Sequence, residues 1–252
     1  MFNIGDYVSR NSYNNDIIFR IFDIKNDIYY LKGISVRLEA DSDKDDLKLE
    51  KNVNDDFSPE FDSYKTLDRD EYFYLPGRVL HVDADSEYLE RCMNFYKKNK
   101  IKAYGIISKE SELSSIIPDN LEIYNPDILV ITGHDAYYRK KRGGYKNTNN
   151  FVDAVKEARK YEKSHEKLLI IAGACQSNYE ELIKAGANFA SSPKRINIHA
   201  LDPAIIACSL AFSDKNKNID LIDILNKTKY GPPGIGGIIT TGTMYIGYPR
   251  ES

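Results

Sequence analysis

Between residues 79 and 191 the chain alternates short apolar runs with segments that carry apolar residues at helical spacing. The runs VLHV, AYGIIS, ILVI and LLII are nearly continuous and rich in β-branched residues, whereas a half-exposed strand would alternate polar and apolar residues. Strands of this kind are buried on both sides. The alternation therefore predicts an α/β fold in which a parallel sheet carries helices on both faces.

The chain as a whole divides into three predicted parts. Residues 1–40 carry short strand patterns separated by asparagine-rich turns, which predict a small SH3-like β module. Residues 41–75 are acidic and polar with little periodicity, so we expect a linker there. Residues 76–252 are expected to form the α/β domain, which ends in a glycine-rich loop and a C-terminal hairpin between Gly231 and Tyr248.

Composition argues against several classes of function. The formal net charge is −3, which gives no basic bias toward nucleic acid. No apolar run reaches the length of a membrane span, and the first residues lack the basic and apolar regions of a signal peptide, so we expect a cytoplasmic protein. The cysteines are odd in number and widely spaced, which predicts free thiols and no metal site. No helix is predicted after the glycine-rich loop, so no phosphate-containing cofactor is expected.

Part of the α/β segment resembles a two-component receiver domain. The resemblance lies in VLHVDAD, NPDILVITG and IKAGANFASSPK. Thr132 stands where a receiver carries its phosphorylated aspartate, and Ser192 stands where it carries a lysine. The resemblance therefore implies the fold without the phosphorylation chemistry. That fold is flavodoxin-like, with the strand order 2-1-3-4-5.

Two strand ends each carry one reactive side chain. The stretch ILVITGHD ends the third strand with His134, and LLIIAGACQSN ends the fourth with Cys175. In the expected order these strands are neighbours, so their carboxyl ends lie about 5 Å apart at the edge where open α/β sheets bind ligands. Alone, each residue is more often a buried apolar group or a capped strand end. Together they form a candidate Cys/His dyad.

A cysteine attacks as its thiolate, so Cys175 needs a local source of activation. A facing imidazole is one source. The other is the next helix, because Ser177 opens an S-x-x-E capping-box pattern that would start this helix directly after the cysteine. His199, near the end of the fifth strand, is the reserve candidate for the base. Core or surface positions are expected for His81, His165, Cys92 and Cys208.

A histidine ending one strand and Ala-Cys ending the next resemble the caspase, gingipain and clostripain-like cysteine peptidases. More closely, GDYVSRNSY, ILVITGHDAYY, LLIIAGACQSNYEELIKAGANFASSP and IHALDP resemble YabG-type sporulation peptidases over essentially the whole chain. The resemblance implies a flavodoxin-like or caspase-like fold and a cysteine endopeptidase without a cofactor. It further implies Cys175 as nucleophile, His134 as general base, and cleavage after Arg of spore coat and cortex-related proteins and of the enzyme itself. The expected location is the sporulating mother cell, with the spore coat as a further site.

One position departs from the caspase-like pattern. Those enzymes place glycine directly after the catalytic histidine and use its backbone N–H in the oxyanion hole, whereas Asp135 stands there in this chain. The backbone N–H groups of Asp135 and Cys175 are the candidate oxyanion donors. The carboxylate of Asp135 would lie near a developing negative charge, and its role is left open.

The implied arginine specificity needs an acidic residue that pairs with the guanidinium. Asp83, Asp85 and Asp202 are the candidates, and the sequence does not choose among them. The basic loop from Tyr138 to Gly144 is either a self-cleavage site or a solvated connector.

Two other functions stay open at this point. One is a catalytically inactive, receiver-like docking or assembly protein of the spore. The other is a different Cys/His hydrolase, such as an amidase.

Overall fold

A computed structural model describes residues 2–51, 53, 55, 57–59, 61, 72–138 and 144–248. The chain forms two compact units, Met1–Phe57 and Ser58–Ser252. In the described part, no helix combines the length and the apolar composition that crossing a membrane requires.

The N-terminal unit is a five-stranded antiparallel sheet in the order β4-β3-β2-β1-β5. Its strands are β1 (Tyr7–Arg10), β2 (Phe19–Lys25), β3 (Ile28–Gly33), β4 (Glu39–Asp43) and β5 (Leu47–Leu49). The turns predicted at Asn14 and Asn26 have left-handed backbone conformations, with φ of 55° and 50°. Alternate strand residues form a small apolar core, made of Val8, Phe19, Ile21, Tyr29, Leu31 and Leu47.

The first part of the predicted linker is folded, so the prediction of a linker from residue 41 is wrong there. β4 pairs with β3, and β5 pairs with β1. Sequence patterning missed both strands because β4 is EADSD, in which Ser42 is the one buried residue, and β5 contributes a single buried apolar residue, Leu47. Backbone pairing along a sheet edge holds them. Residues 62–71 of the predicted linker lie outside the described residues.

The second unit contains a six-stranded sheet in the order β14-β13-β12-β9-β7-β8. Its strands are β7 (Val79–Asp83), β8 (Ala103–Ile107), β9 (Ile128–Thr132), β12 (Leu169–Ala172), β13 (Phe189–Ser191) and β14 (Ile235–Gly237). The first five are parallel and β14 runs antiparallel at the edge. The five parallel strands have the order 2-1-3-4-5 expected from the sequence, so the strands bearing His134 and Cys175 are neighbours.

Helices cover both faces of this sheet. The helices are α1 (Ser86–Lys98), α2 (Leu113–Tyr124), α3 (Thr148–Tyr161), α4 (Tyr179–Ala185), α5 (Asp202–Ala211) and α6 (Leu221–Asn226). On one face, α2, α3 and α4 pack on alternate strand residues such as Leu80 and Leu129. On the other face lie α1, whose Tyr96 contacts the strand residue His81, and α5, which is buried along its whole length.

The predicted C-terminal hairpin does not form. β14 pairs with β13, whereas β15 (Tyr245–Gly247) pairs with β6 (Phe73–Leu75) in a separate two-stranded sheet. The connecting residues are held elsewhere, because Thr241 bridges to Asn218 and the backbone N–H of Thr243 donates to the Leu210 carbonyl at 3.0 Å. A short hairpin, β10 (Tyr137–Tyr138) and β11 (Gly144–Tyr145), follows the third parallel strand.

Candidate active site

His134 and Cys175 follow neighbouring parallel strands, β9 and β12. Paired residues of β9 and β12 differ by 41 positions, as in Ile131 and Ala172, and the Gly173 N–H extends the ladder by donating to the Ile131 carbonyl at 3.0 Å. His134 and Cys175 also differ by 41 positions, three residues beyond the last pair. The register therefore brings both to the carboxyl edge of the sheet, where strand-end side chains converge.

Several polar groups of the α/β unit contact the backbone and the ring of His134. Its backbone N–H donates to Glu110 Oε1 at 3.0 Å, and its carbonyl accepts from Asn147 Nδ2 at 2.8 Å. In the ring, Nδ1 lies 3.7 Å from Glu110 Oε1 and Nε2 lies 3.6 Å from Asp85 Oδ2. The Tyr88 ring packs beside it, 5.8 Å between centroids. Backbone and ring are thus both held by neighbours.

Glu110 is a residue that the sequence analysis missed. It lies on one turn of 3-10 helix, Glu110–Glu112, after β8. Burial would raise the pKa of Glu110, but hydrogen bonding to His134 outweighs burial and holds that pKa below its ordinary value. Its position in the sequence could have indicated it. An acidic residue shortly after the second strand lies at the same sheet edge as the ends of strands one, three and four.

Cys175 is completely buried, and its thiol faces the backbone of Ile198. Its Sγ accepts the Ile198 N–H at 3.2 Å, and the thiol donates to the Ile198 carbonyl at 3.7 Å. The first contact favours the thiolate, whereas the second contact and complete burial favour the neutral thiol. The next residue, Gln176, has φ of 59°, a left-handed conformation that is rare for a residue with a side chain.

Residues 193–198, named here the cover segment, lie over Cys175. The Gln176 N–H donates to the Ile196 carbonyl at 3.4 Å, and its side-chain Nε2 donates to Asn197 Oδ1 at 3.4 Å. The Lys194 N–H donates to the Pro233 carbonyl at 3.3 Å, which ties the segment to the glycine-rich loop. The thiol is closed off from solvent by this packing.

The helix after Cys175 does not begin where the capping pattern predicted. Asn178 is its N-cap, with its side chain accepting from the Glu181 N–H at 3.4 Å. Ser177 instead accepts the Ala174 N–H and donates to Asp135 Oδ2, both at 3.0 Å. The seven-residue helix therefore starts further from the sulfur than expected. The Ile198 N–H is the nearer polarising group.

The carboxylate of Asp135 connects three segments of the site and is 4% exposed. Oδ1 accepts the N–H groups of Ala136 at 2.9 Å and Asn147 at 2.8 Å. Oδ2 accepts the hydroxyls of Thr148 and Ser177. The side chain therefore joins the histidine loop to the start of α3 and to the cysteine loop. In the described part of the chain, the backbone N–H of Asp135 donates no intramolecular hydrogen bond.

The three acids proposed for arginine binding all bond internally. Asp83 accepts from the Thr132 hydroxyl at 2.8 Å, and Asp202 accepts the His199 and Lys229 N–H groups at 2.9 and 2.8 Å. Both are fully buried. Asp85 caps α1 through Oδ1, with its Oδ2 toward His134. Of the three, Asp85 is thus the one facing the histidine.

The remaining sequence candidates have local roles. His199 is fully buried and its Nδ1 accepts the Leu201 N–H at 3.1 Å, which occupies one of the two atoms that a base could use. His81 is also fully buried, between the hydroxyls of Tyr96 and Thr132. Burial also raises the pKa of Cys208 well above its ordinary value. These residues belong to the core.

The hairpin β10–β11 borders the cysteine loop. The Tyr137 N–H donates to Gln176 Oε1 at 3.4 Å, and the Tyr137 and Tyr145 rings pack with centroids 5.1 Å apart. The guanidinium of Arg195, from the cover segment, lies over the Tyr137 ring at 5.2 Å from its centroid. Of the basic loop from 138 to 144 proposed as a self-cleavage site, residues 139–143 lie outside the described residues.

Two comparisons with known proteins identify the family of this chain. The family model described as YabG peptidase U57 matches residues 3–60 and 51–249. The sporulation-specific protease YabG of Bacillus subtilis (strain 168) is 42% identical over an alignment of 287 residues, which covers 100% of this chain and 99% of that protein. The resemblance to YabG-type sporulation peptidases is thereby confirmed. The chain belongs to the YabG peptidase U57 family.

Proposed function

We propose that this chain is a cysteine endopeptidase of the sporulating cell, with Cys175 as nucleophile and His134 as general base. The observation that supports the proposal is the parallel pairing of β9 and β12, after which His134 and Cys175 each stand three residues beyond the last paired position. Membership of a peptidase family supports it. The curated relative is a sporulation-specific protease, which supports the cellular setting.

In the proposed reaction the Cys175 thiolate attacks the peptide carbonyl and the protonated His134 gives its proton to the leaving amine. Water, with its proton taken by His134, then hydrolyses the acyl-enzyme. The backbone N–H groups of Asp135 and Cys175 are the proposed oxyanion donors. The Asp135 carboxylate is compatible with this role because its four hydrogen bonds turn it toward Asn147, Thr148 and Ser177.

Substrate access in this scheme requires displacement of the cover segment, because Cys175 is fully buried beneath it. The contacts to be broken include the bond from the Ile198 N–H to Cys175 Sγ and that from the Gln176 N–H to the Ile196 carbonyl. Each bond joins a residue of the cover segment to a residue of the cysteine loop, so in this scheme a movement of the cover segment breaks both bonds. The chain described above is the closed form.

For specificity we propose cleavage after Arg, in spore coat and cortex-related proteins and in the chain itself. Asp85 is the preferred partner of the substrate guanidinium among the three acids, because Asp83 and Asp202 are fully buried and Asp85 faces the histidine. The mother-cell compartment is the proposed place of action, with the spore coat as a further site.

The test compares Cys175→Ala with Cys208→Ala, which removes another buried thiol, on arginine-containing peptides and on neutral analogues. Loss of cleavage in Cys175→Ala alone, with both variants folded by circular dichroism, supports the proposal. Retained cleavage in Cys175→Ala would refute it. No cleavage of any peptide by the wild type, together with binding of spore proteins, favours a docking protein. Hydrolysis of small amides in place of peptides favours an amidase.

A further inference from the structure

We propose that Glu110 is the positioning residue of His134, holding its backbone by a hydrogen bond and its ring by charge. This inference rests on the proposed function, since it gives a third member to the Cys175–His134 pair. The sequence analysis assigned no role to this residue.

Glu110 approaches His134 over the backbone of Gly133, which has no side chain. A Cβ at Gly133 would lie 3.0 Å from Glu110 Oε1 and 3.0 Å from the Ala84 Cβ, so these neighbours would have to shift by a few tenths of an ångström. Glycine before the histidine therefore leaves room for the carboxylate that accepts the His134 N–H at 3.0 Å. The same oxygen lies 3.7 Å from Nδ1, within ion-pair distance. One carboxylate oxygen thus fixes both the main chain and the ring side of the histidine.

Glu110 lies on the Nδ1 side of the imidazole and Asp85 on the Nε2 side. A carboxylate on either side stabilises the charged imidazolium that forms when the thiol ionises. We assign Nδ1 to the contact with Glu110 and Nε2 to the proton exchange with Cys175. Glu110 is well suited to remain ionised, because its pKa is held below the ordinary value despite burial.

Other groups of the α/β unit also face the imidazole and must be separated from Glu110. Asp85 Oδ2 lies 3.6 Å from Nε2, and the Tyr88 ring packs beside the imidazole. Asp135 is adjacent in the chain, but its carboxylate bonds to α3 and to Ser177. Cys175 follows the neighbouring strand. Asp85 also caps α1 through its other oxygen. Glu110 Oε1 contacts His134 twice, at the backbone N–H and at Nδ1.

The experiment replaces the charge and keeps the size, with Glu110→Gln, and uses Glu112→Gln as the matched control. Glu112 is exposed and lies on the same turn of 3-10 helix. In Glu110→Gln, kcat should fall roughly tenfold with KM unchanged. The alkaline limb of the kcat–pH profile should move to lower pH, since the variant lacks the negative charge that lies 3.7 Å from Nδ1. Glu112→Gln should match the wild type.

Three results would overturn the inference: an unchanged Glu110→Gln profile, a lower kcat with an unmoved alkaline limb, or an equal shift in Glu112→Gln. Glu110→Asp is the second variant, needed if the amide variant does not fold. It retains the charge, so an alkaline limb near that of the wild type supports the role, and a limb that moves contradicts it. Activity retained in Cys175→Ala would refute the proposed dyad itself, whatever the Glu110 variants show.

Discussion

Removal of the Asp135 carboxylate should cost the fold more stability than any exposed acid of this unit. The carboxylate is 4% exposed and accepts four hydrogen bonds, from Ala136, Asn147, Thr148 and Ser177. In Asp135→Ala the two hydroxyls can rotate toward other acceptors, but the two backbone N–H groups cannot. At about 1.5–2.5 kcal/mol for each N–H that loses a charged acceptor, the free energy of unfolding should fall by roughly 3–5 kcal/mol.

Asp135→Asn should lower the free energy of unfolding less than Asp135→Ala. The amide retains one oxygen and places an NH₂ group against two donors, so about half of the loss is expected, roughly 1.5–2.5 kcal/mol. Urea unfolding followed by far-ultraviolet circular dichroism measures both values, since the chain has no Trp to report by fluorescence. Asp153→Asn is the control: it lies on α3, its side chain is 62% exposed, and it pairs with Lys156. In Asp153→Asn the free energy of unfolding should fall by less than about 0.5 kcal/mol.

A loss below about 1 kcal/mol in Asp135→Ala would refute this reasoning, because it would mean that the donors find other partners at no cost. A large loss should be accompanied by reduced peptidase activity in the surviving folded fraction. The same carboxylate joins the histidine loop to the cysteine loop, so its removal loosens both at once.

Two further predictions concern a partly buried cation and a partly buried acid. Arg159 donates to the Gly186 carbonyl at 2.8 Å, the Leu168 carbonyl at 2.9 Å and Asn188 Oδ1 at 2.7 Å. Burial lowers its pKa to about 10. Arg159→Lys should therefore lower the free energy of unfolding by roughly 2–4 kcal/mol, because an ammonium group cannot reach these acceptors together; a loss under about 1 kcal/mol in urea unfolding would contradict it. Glu110 has a pKa below its ordinary value of 4.5, so its stabilising contribution is complete above pH 4.5 and is lost as the pH falls through the lowered pKa. Glu110→Gln should accordingly show a smaller drop in stability between pH 6 and pH 3 than the wild type, and an equal drop would count against the contact.

The sheet was predictable because its signal is local and repeated. Continuous apolar runs such as ILVI can be satisfied only by burial on both faces, and the short connections between them leave few possible orders. β4 and β5 were not predictable, because EADSD carries no apolar periodicity and its pairing depends on β3 being in place. The prediction of a C-terminal hairpin was wrong for a related reason. Thr241 and Met244 pair with residues of a loop distant in sequence, and a local turn pattern does not indicate such pairing.

The candidate site could be identified from the sequence only as far as its strand ends. His134 and Cys175 follow from where two strands stop. The partner of the histidine does not, because Glu110 follows a strand two positions away in the sheet and reaches back across it through the space that Gly133 leaves. Ser177 misled the capping prediction because its hydroxyl accepts the Ala174 N–H and donates to the buried Asp135 carboxylate, so it caps no N–H group of the helix.

The burial of Cys175 bears on the strength with which a substrate can bind. If only an open form admits the peptide, the observed dissociation constant equals the intrinsic one divided by the fraction of molecules that are open. Every 1.4 kcal/mol by which the cover segment favours the closed form then weakens apparent affinity about tenfold. In the proposed mechanism, the hydrogen bonds from Ile198 to sulfur and from Gln176 to Ile196 would therefore add to the binding energy that a substrate must supply to open the site. Selectivity in such an enzyme is set by the loop that closes the site as well as by the pocket that receives the side chain.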